Sequence, residues 1–226
     1  MRRGIFVTGT DTGVGKTHVT ALLLRELRRR GVNAAAFKPI SCGEGGRNDA
    51  RIYHELMGRE VPLDAINPVY LKHPLAPSVA AKLERRRIDL RTVLSAYQSL
   101  LTNHYSPILV EGAGGLMVPI RNDYYVADLV KTLGLPLLVV ARLGLGTINH
   151  SVLTVRQARE HELKVAGIIL NDTVGGQGGL AAETNIEVVP ALCRVPLLGV
   201  VPHGPRGAQA AARKICDRLM RRRARD

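Results

Sequence analysis

A glycine-rich loop at residues 9–17 constrains the fold more than any other feature of the sequence. The loop reads GTDTGVGKT and follows the apolar residues Ile5, Phe6 and Val7. Glycines permit a backbone whose successive N–H groups face a phosphate, and the helical pattern that follows adds the positive end of its dipole. The closing lysine and threonine are the residues that bind outer phosphates and magnesium in such loops. The pattern predicts a site for ATP with Mg²⁺.

The loop departs from the usual pattern at one position. That pattern has a glycine five residues before Gly15, where this chain has Thr10, with Gly9 one step earlier. A glycine turn that only caps a helix is the alternative interpretation. It is disfavoured because an apolar strand pattern precedes the loop and a helical pattern follows it.

Six short apolar runs alternate with segments of helical periodicity. Runs that are apolar throughout are typical of strands buried on both faces of a parallel sheet. The alternation predicts a three-layer α/β fold with a mostly parallel sheet, like that of P-loop nucleoside triphosphate hydrolases. The predicted strands are 4–8, 32–37, 107–110, 135–141, 165–170 and 196–201. The predicted helices are 16–30, 49–57, 90–105, 126–133 and 148–162.

We expect a single domain over residues 1–226, because the sequence contains no internal repeat and no linker. The glycine cluster at 175–179 is predicted to be a surface loop. The longest apolar stretch, 135–140, is shorter than the roughly 20 residues that span a membrane, so no membrane segment is expected. Three cysteines, far apart and odd in number, predict neither disulfides nor a metal site and favour a cytoplasmic location.

The chain is basic, with a formal net charge of +13. Such a charge favours polyanionic or phosphorylated partners. Nucleic acid is not expected, because only 4% of the residues are aromatic and no nucleic-acid-reading motif is present. The basic tail at 213–223 has apolar residues at helical spacing, which fits either a surface-binding helix or a last helix packed on the core. The short apolar stripe favours the packed helix.

Polar and glycine clusters follow four of the predicted strands, at the edge where parallel sheets bind ligands. Lys38 would bring a second cation to the phosphate loop, or else is an exposed lysine at a strand end. Glu111 is placed to bind magnesium. Asp49 is either a further magnesium ligand or a first-turn acid of a helix. Asn171 and Asp172 either read a base by hydrogen bonds or form a plain turn.

These segments together resemble the dethiobiotin synthetase family. The resemblance rests on FVTGTDTGVGKT at 6–17, FKP at 37–39 and VEGAGG at 110–115. It continues, in order and spacing, through 145–154, 167–172 and 197–202 and so covers close to the whole chain. It implies an ATP-dependent cyclo-ligase that forms C–N bonds. In that reaction 7,8-diaminononanoate takes up CO₂ as a carbamate, ATP phosphorylates the carbamate, and the second amine displaces phosphate.

The resemblance also implies roles for individual residues. Its catalytic residues here would be Thr12, Lys16 and Lys38, and its magnesium ligands would be Thr17, Asp49 and Glu111. The implied triphosphate contacts are Gly13, Val14, Gly15, Lys16, Thr17, Glu111, Gly112, Ala113 and Gly114. The implied base contacts are Asn171, Asp172, Val201, Pro202 and His203. The implied substrate contacts are Thr12, Lys38, Ser41 and Cys42, with Gly146, Thr147, Ile148 and Asn149 of the partner subunit in a homodimer.

Two features qualify the resemblance. The family generally has serine or threonine where this chain has Cys42, and because a thiol is a weaker donor, Ser41 is expected to carry more of the substrate contact. The partitioning and division-site ATPases are the alternative family, as nucleotide-dependent switches on a related fold. Their loop normally carries an additional lysine near its beginning. Residues 8–14 contain none, which counts against that alternative.

Overall fold

A parallel sheet of six strands forms the centre of the structure, a computed structural model that describes residues 4–43, 45, 47–175 and 179–223. The strands are β1 Gly4–Gly9, β2 Ala35–Phe37, β3 Ile40–Cys42, β4 Val69–Leu71, β5 Ile108–Gly115, β6 Pro119–Arg121, β7 Tyr124–Tyr125, β8 Leu137–Arg142, β9 Val165–Asn171 and β10 Leu197–Val201. The helices are α1 Lys16–Arg29, α2 Asn48–Leu56, α3 Leu63–Ile66, α4 Pro77–Leu83, α5 Leu90–Thr102, α6 Val126–Leu133, α7 Thr147–Glu160, α8 Gly179–Cys193 and α9 Pro205–Arg223.

The central sheet has the strand order β10-β9-β8-β1-β5-β2, and each neighbouring pair is parallel. Consecutive residues of β1 and β8 are buried, and consecutive strand residues point to opposite faces. Both faces of these strands are therefore covered, as the continuous apolar runs predict. In register, Val7 pairs with Glu111 and Phe37 with Val110. This pairing brings the ends of β1, β2 and β5 to one edge, where the phosphate loop begins.

All six predicted central strands are present, with bounds shifted by a few residues at their ends. Residues 32–34 lie outside β2, because the chain turns there before it joins the sheet. Two small two-stranded sheets, β3-β4 and β6-β7, and the helices α3 and α4 are too short to produce a periodic pattern. The helix α8 has 15 residues but was not predicted, and Pro190 inside it argues against a helix in sequence-based prediction. In the glycine cluster, Gly175 lies in a bend and Gly179 begins α8, while residues 176–178 lie outside the described residues.

The basic tail forms α9, which packs against α1 and β10. Its apolar stripe is used in this packing, so the packed-helix interpretation is confirmed. The buried residues of the stripe are Ala208, Ala212, Ile215, Cys216 and Leu219. None of the helices in the described part of the chain is long and apolar enough to cross a membrane.

A buried glutamate explains part of the arginine content between α1 and α9. The Glu26 carboxylate is fully buried and accepts hydrogen bonds from Arg29 at 3.0 Å, Arg30 at 2.6 Å and Gln209 at 3.2 Å. Arg30 also pairs with Asp217 of α9 at 2.6 Å. The hydrogen bond from Arg29, with help from Arg30, outweighs burial and lowers the pKa of Glu26 to about 2. The carboxylate thus joins the C-terminal end of α1 to α9.

We expect Glu26→Gln to lower the free energy of unfolding at pH 7 by about 2 kcal/mol, because charged hydrogen bonds in a buried site are lost. A depressed folded-state pKa gives stability that is present above the unfolded value of 4.5 and is lost as the pH falls towards 2. The difference in the free energy of unfolding between the wild type and Glu26→Gln should therefore decrease as the pH falls from 4.5 towards 2. Urea denaturation of both proteins between pH 7 and pH 3 measures this difference. Glu55→Gln, which breaks an exposed pair with Arg59, is the control and should change stability by less than about 0.5 kcal/mol. A constant difference at every pH would contradict the assignment.

Candidate active site

The phosphate loop connects β1 to α1 and depends on two glycines. Gly13 has φ 74° and Gly15 has φ 91°, in the left-handed region that favours glycine. A Cβ on Gly15 would lie 2.1 Å from Nδ2 of Asn171, so the position is closed to side chains on steric grounds as well. That amide donates to the carbonyl of Val14 at 2.9 Å. The end of β9 therefore fixes the loop from behind.

Lys16 lies inside the loop, where its ammonium contacts a backbone carbonyl. Its Nζ donates to the carbonyl of Asp11 at 3.0 Å, across the loop. Burial lowers the pKa of Lys16 to about 8, although the negative charge of Glu111 acts in the opposite direction. A phosphate beside this ammonium would restore the preference for the charged form. The buried ammonium of Lys16 therefore makes the loop suitable for binding an anion.

Lys38 and Glu111 form a buried ion pair beside the loop. Nζ of Lys38 lies 2.7 Å from Oε1 of Glu111 and 2.7 Å from Oδ2 of Asp49. Burial alone would lower the pKa of Lys38, but Glu111 and Asp49 raise it above its ordinary value. The Thr17 hydroxyl donates to the same Glu111 oxygen at 2.9 Å. The structure thus brings together Thr17, Lys38, Asp49 and Glu111, which the sequence alone places far apart.

The oxygen atoms of this cluster suit a magnesium ion. A hydroxyl and two carboxylates are hard ligands, and magnesium takes one or two carboxylates while phosphates and waters complete its shell. Both carboxylates of the cluster already share one cation, the Lys38 ammonium. Within the described residues no group of three or more acidic, histidine or cysteine side chains could hold a metal ion. A hydroxyl and two carboxylates fit a magnesium ion whose remaining ligands are phosphates and waters.

Two buried residues of the site were not predicted from the sequence. Tyr53 donates its hydroxyl hydrogen to Oε2 of Glu111, and it follows Asp49 by one helical turn, which is the signal that could have identified it. Asn67 donates to the carbonyl of Lys38 at 2.7 Å and accepts the Ser41 hydroxyl at 2.7 Å. No pattern marks Asn67, because it follows a helix of only four residues.

A cavity of about 650 Å³ adjoins the cluster and has a mixed lining. Its polar lining residues are Thr12, Lys16, Thr17, Lys38, Ser41, Cys42, Asp49 and Glu111. Its other lining residues are Gly13, Gly15, Ile40, Pro74, Leu75, Ala76, Pro77, Ala113, Gly114 and Val118. Burial, together with the negative charge of Glu84, raises the pKa of the Cys42 thiol to about 11, so a neutral thiol faces this space.

The predicted base contacts lie behind the loop, at the adjacent ends of β9 and β10. Asn171 pairs in register with Val201, and the next amide, that of Asp172, donates to the Val201 carbonyl at 2.9 Å. The Asp172 carboxylate accepts from Val174 at 3.1 Å and Gly175 at 2.9 Å, which is a turn geometry. The ring of His203 lies against Gly175. These residues form a group apart from the 650 Å³ cavity.

The segment predicted to serve the partner subunit does not line the cavity of its own chain. Gly146, with φ 88°, caps α7, and Thr147 is buried behind it. Thr147 lines a small cavity of about 50 Å³ with Thr10 and Asp11 of the phosphate loop. Asn149 is exposed. The start of α7 therefore lies against the loop, with part of it turned to the surface.

Residues 3–210 match the family model of an AAA domain. The chain is 40% identical to the ATP-dependent dethiobiotin synthetase of Bacillus licheniformis, over 88% of this chain and 86% of that protein. It is 44% identical to the synthetase of the same name from Anaeromyxobacter dehalogenans, over 92% and 94%. It is 38% identical to the ATP-dependent dethiobiotin synthetase of Methanocaldococcus jannaschii, over 87% of this chain and 92% of that protein.

Among solved structures, the fold resembles that of the septum site-determining protein MinD of Pyrococcus horikoshii, complexed with Mg-ADP. The TM-score is 0.61 at 19% identity, over 98% of this chain and 96% of that chain. For the MinC:MinD cell division protein complex of Aquifex aeolicus, the TM-score is 0.59 at 15% identity, over 98% of this chain and 96% of that chain. At these identities the likeness concerns the fold alone, and it confirms the predicted P-loop architecture.

Proposed function

The chain belongs to the ATP-dependent dethiobiotin synthetase family, and we propose that it forms dethiobiotin from 7,8-diaminononanoate, CO₂ and ATP, with release of ADP and phosphate. A single domain over residues 1–226 carries this reaction. The observation that carries the proposal is the cluster of Lys38, Glu111 and Asp49, in which the lysine and the glutamate are buried. The cluster and the phosphate loop line one cavity, which also has apolar lining residues.

The mixed lining of the cavity suits the two halves of the substrate. The diamine carries two neighbouring amines on a long methylene chain. Its amines, once one of them is a carbamate, belong beside Lys38, and the methylene chain belongs against apolar lining residues such as Ile40 and Leu75. The Ser41 hydroxyl is engaged with Asn67, and Cys42 presents a weakly polar thiol, so this side orients the substrate by shape more than by strong hydrogen bonds.

The reaction proceeds in three steps. One amine attacks the carbon of CO₂ and loses a proton, which gives a carbamate anion. A carbamate oxygen then attacks the terminal phosphorus of ATP, and the bond from that phosphorus to ADP breaks. The second amine finally attacks the carbamate carbon, the C–O bond to phosphate breaks, and this amine also loses a proton. A cyclic urea and inorganic phosphate are the products.

Each cation of the chain has a separate task in these steps. Lys16 and the N–H groups of the loop hold the triphosphate. Lys38 stabilises negative charge on the carbamate and on the transferred phosphoryl group. Its carboxylate partners raise its pKa, so it remains an ammonium and acts by charge rather than as a base. Thr12 lines the same cavity as Lys16 and Lys38.

Thr17, Asp49 and Glu111 would hold the magnesium ion, which when bound neutralises charge on the phosphate oxygens. Asn171, whose side chain supports Val14, would face the adenine edge together with Val201 and Pro202. The described cysteines are free, which supports a reducing compartment such as the cytoplasm.

A homodimer would complete the site. Large apolar side chains remain exposed around the start of α7 and α8, with Leu145 94% and Leu180 75% exposed. The helices α7 and α8 pack against each other, and exposed apolar side chains that cluster mark interaction surfaces. The adjacent residues Gly146 to Asn149 lie outside the cavity of their own chain, which supports a role in the site of the partner.

The dimer predicts a sedimentation mass twice that of the 24.5 kDa chain at micromolar concentration. Leu145→Asp places a charge on the apolar surface and should weaken association at least tenfold. Leu83→Asp, at an exposed leucine on α4, is the control and should leave the mass unchanged. A wild-type protein that sediments as a monomer would overturn the proposal.

With Mg²⁺, ATP and bicarbonate present, phosphate release should require the diamine, because the carbamate is the acceptor of the phosphoryl group. Mass spectrometry of the product should show the cyclic urea in equal amount to phosphate. A division-site type of ATP switch predicts the opposite, since it would hydrolyse ATP without the diamine. Equal rates with and without the diamine would reject the synthetase assignment.

Lys38→Ala should lower the rate of ring closure at least a hundredfold while it weakens ATP binding less than tenfold, because Lys38 is assigned to the transferred group. Calorimetric ATP titration and a phosphate-release assay measure the two effects. Lys131→Ala removes an exposed lysine that pairs with Glu162 and should change neither. Equal losses of binding and turnover in Lys38→Ala would reassign the residue to nucleotide anchoring.

A further inference from the structure

A tyrosine at position 53 is in direct contact with the charged cluster. Its side chain is fully buried, and its hydroxyl donates to Oε2 of Glu111. A tyrosine hydroxyl is a neutral hydrogen-bond donor, so this contact adds no charge to the cluster.

The two oxygens of Glu111 have different partners. Oε1 accepts from Thr17 at 2.9 Å and from Lys38 at 2.7 Å, so it faces the phosphate loop and the cavity. The other oxygen, Oε2, accepts from Tyr53. Because Glu111 is only 1% exposed, water does not replace a lost donor. The tyrosine hydroxyl, with Lys38 and Thr17, thus fixes the rotation of the carboxylate about its last bond.

Helix α2 contacts the Lys38–Glu111 pair through two side chains on one of its faces. Asp49 and Tyr53 are four residues apart, so their side chains lie one above the other. The helix is therefore attached to the Lys38–Glu111 pair at two points, through Asp49 to the lysine and through Tyr53 to the glutamate. Ala50 is buried with Tyr53 and holds the helix against the core.

We infer that Tyr53 is a positioning residue, which orients the Glu111 carboxylate so that it faces Lys38 and would be held ready for a magnesium ion. The inference rests on the proposed role of Glu111 as a magnesium ligand. Hydrogen-bond partners of metal ligands fix the ligand geometry, and their loss typically costs about 10–100-fold in metal affinity or activity. Tyr53 acts through Glu111 and does not touch the substrate.

The test is the magnesium dependence of nucleotide binding, measured by calorimetry with ATP at several Mg²⁺ concentrations and in EDTA. In Tyr53→Phe the Mg²⁺ concentration for half-maximal tightening of ATP binding should rise about tenfold. Binding in EDTA should remain within twofold of the wild type, because the phosphate loop is unchanged. This readout does not depend on ring closure, so a failure of the proposed reaction would not obscure it.

Tyr124→Phe is the matched control, because it removes a tyrosine hydroxyl bonded to Thr132 at 2.8 Å, away from the cluster. It should leave the magnesium requirement unchanged. If Tyr53→Phe lowers only the thermal stability and leaves the magnesium requirement within twofold, Tyr53 has a structural role alone and the inference is overturned.

A double-mutant cycle with Glu111→Gln decides whether the hydroxyl acts through the carboxylate. In a protein that already carries Glu111→Gln, Tyr53→Phe should add less than a twofold change in magnesium requirement. An added tenfold change would overturn the inference. If the single variant Tyr53→Phe fails to fold, folding of the double variant supports the inference, because the buried charge that lost its donor is gone. A double variant that also fails to fold overturns it.

Discussion

The buried ion pair of Lys38 and Glu111 is the interaction on which the arrangement of the site depends. A charge taken out of water is costly unless it is paired and its remaining hydrogen-bonding capacity is satisfied. Here the lysine has two carboxylate partners and the glutamate has three donors, Thr17, Lys38 and Tyr53. These partners come from different parts of the chain, so the pair holds α1, α2, β5 and the end of β2 in one relative position.

The pair is possible because of the register of the parallel sheet. Val110, one residue before Glu111, lies opposite Phe37, one residue before Lys38. The two charged residues therefore emerge at the same level of two adjacent strands. Val7 lies opposite Glu111 on the other side, and two residues later β1 ends at Gly9 and the phosphate loop begins. A shift of one residue in either pairing would turn a charged side chain to the other face of the sheet.

The sequence predicted this edge well, because its signals are local. Apolar runs predict the strands, and glycines predict the loop. Because the strands are parallel, the residues that follow their carboxyl ends lie at the same edge of the sheet. What could not be predicted depends on tertiary contact alone. Tyr53 looks like a core aromatic of an amphipathic helix until its hydroxyl is found against Glu111. Asn67 follows α3 as an ordinary loop residue, yet it joins Ser41 to the backbone of Lys38. The short strands β3 and β4 pair with each other outside the main sheet, where no periodicity can develop over three residues.

The two lysines of the site differ in their electrostatic surroundings. Lys38 is compensated by Glu111 and Asp49, and its pKa is raised, whereas Lys16 is buried against a carbonyl and its pKa is lowered to about 8. The four groups together are close to neutral before any nucleotide arrives. A triphosphate brings several negative charges, of which Lys16 can balance one. The remainder must be met by charge from outside this cluster, because Lys38 is already shared between two carboxylates. Electrostatic balance thus favours a nucleotide that enters this site together with a divalent cation.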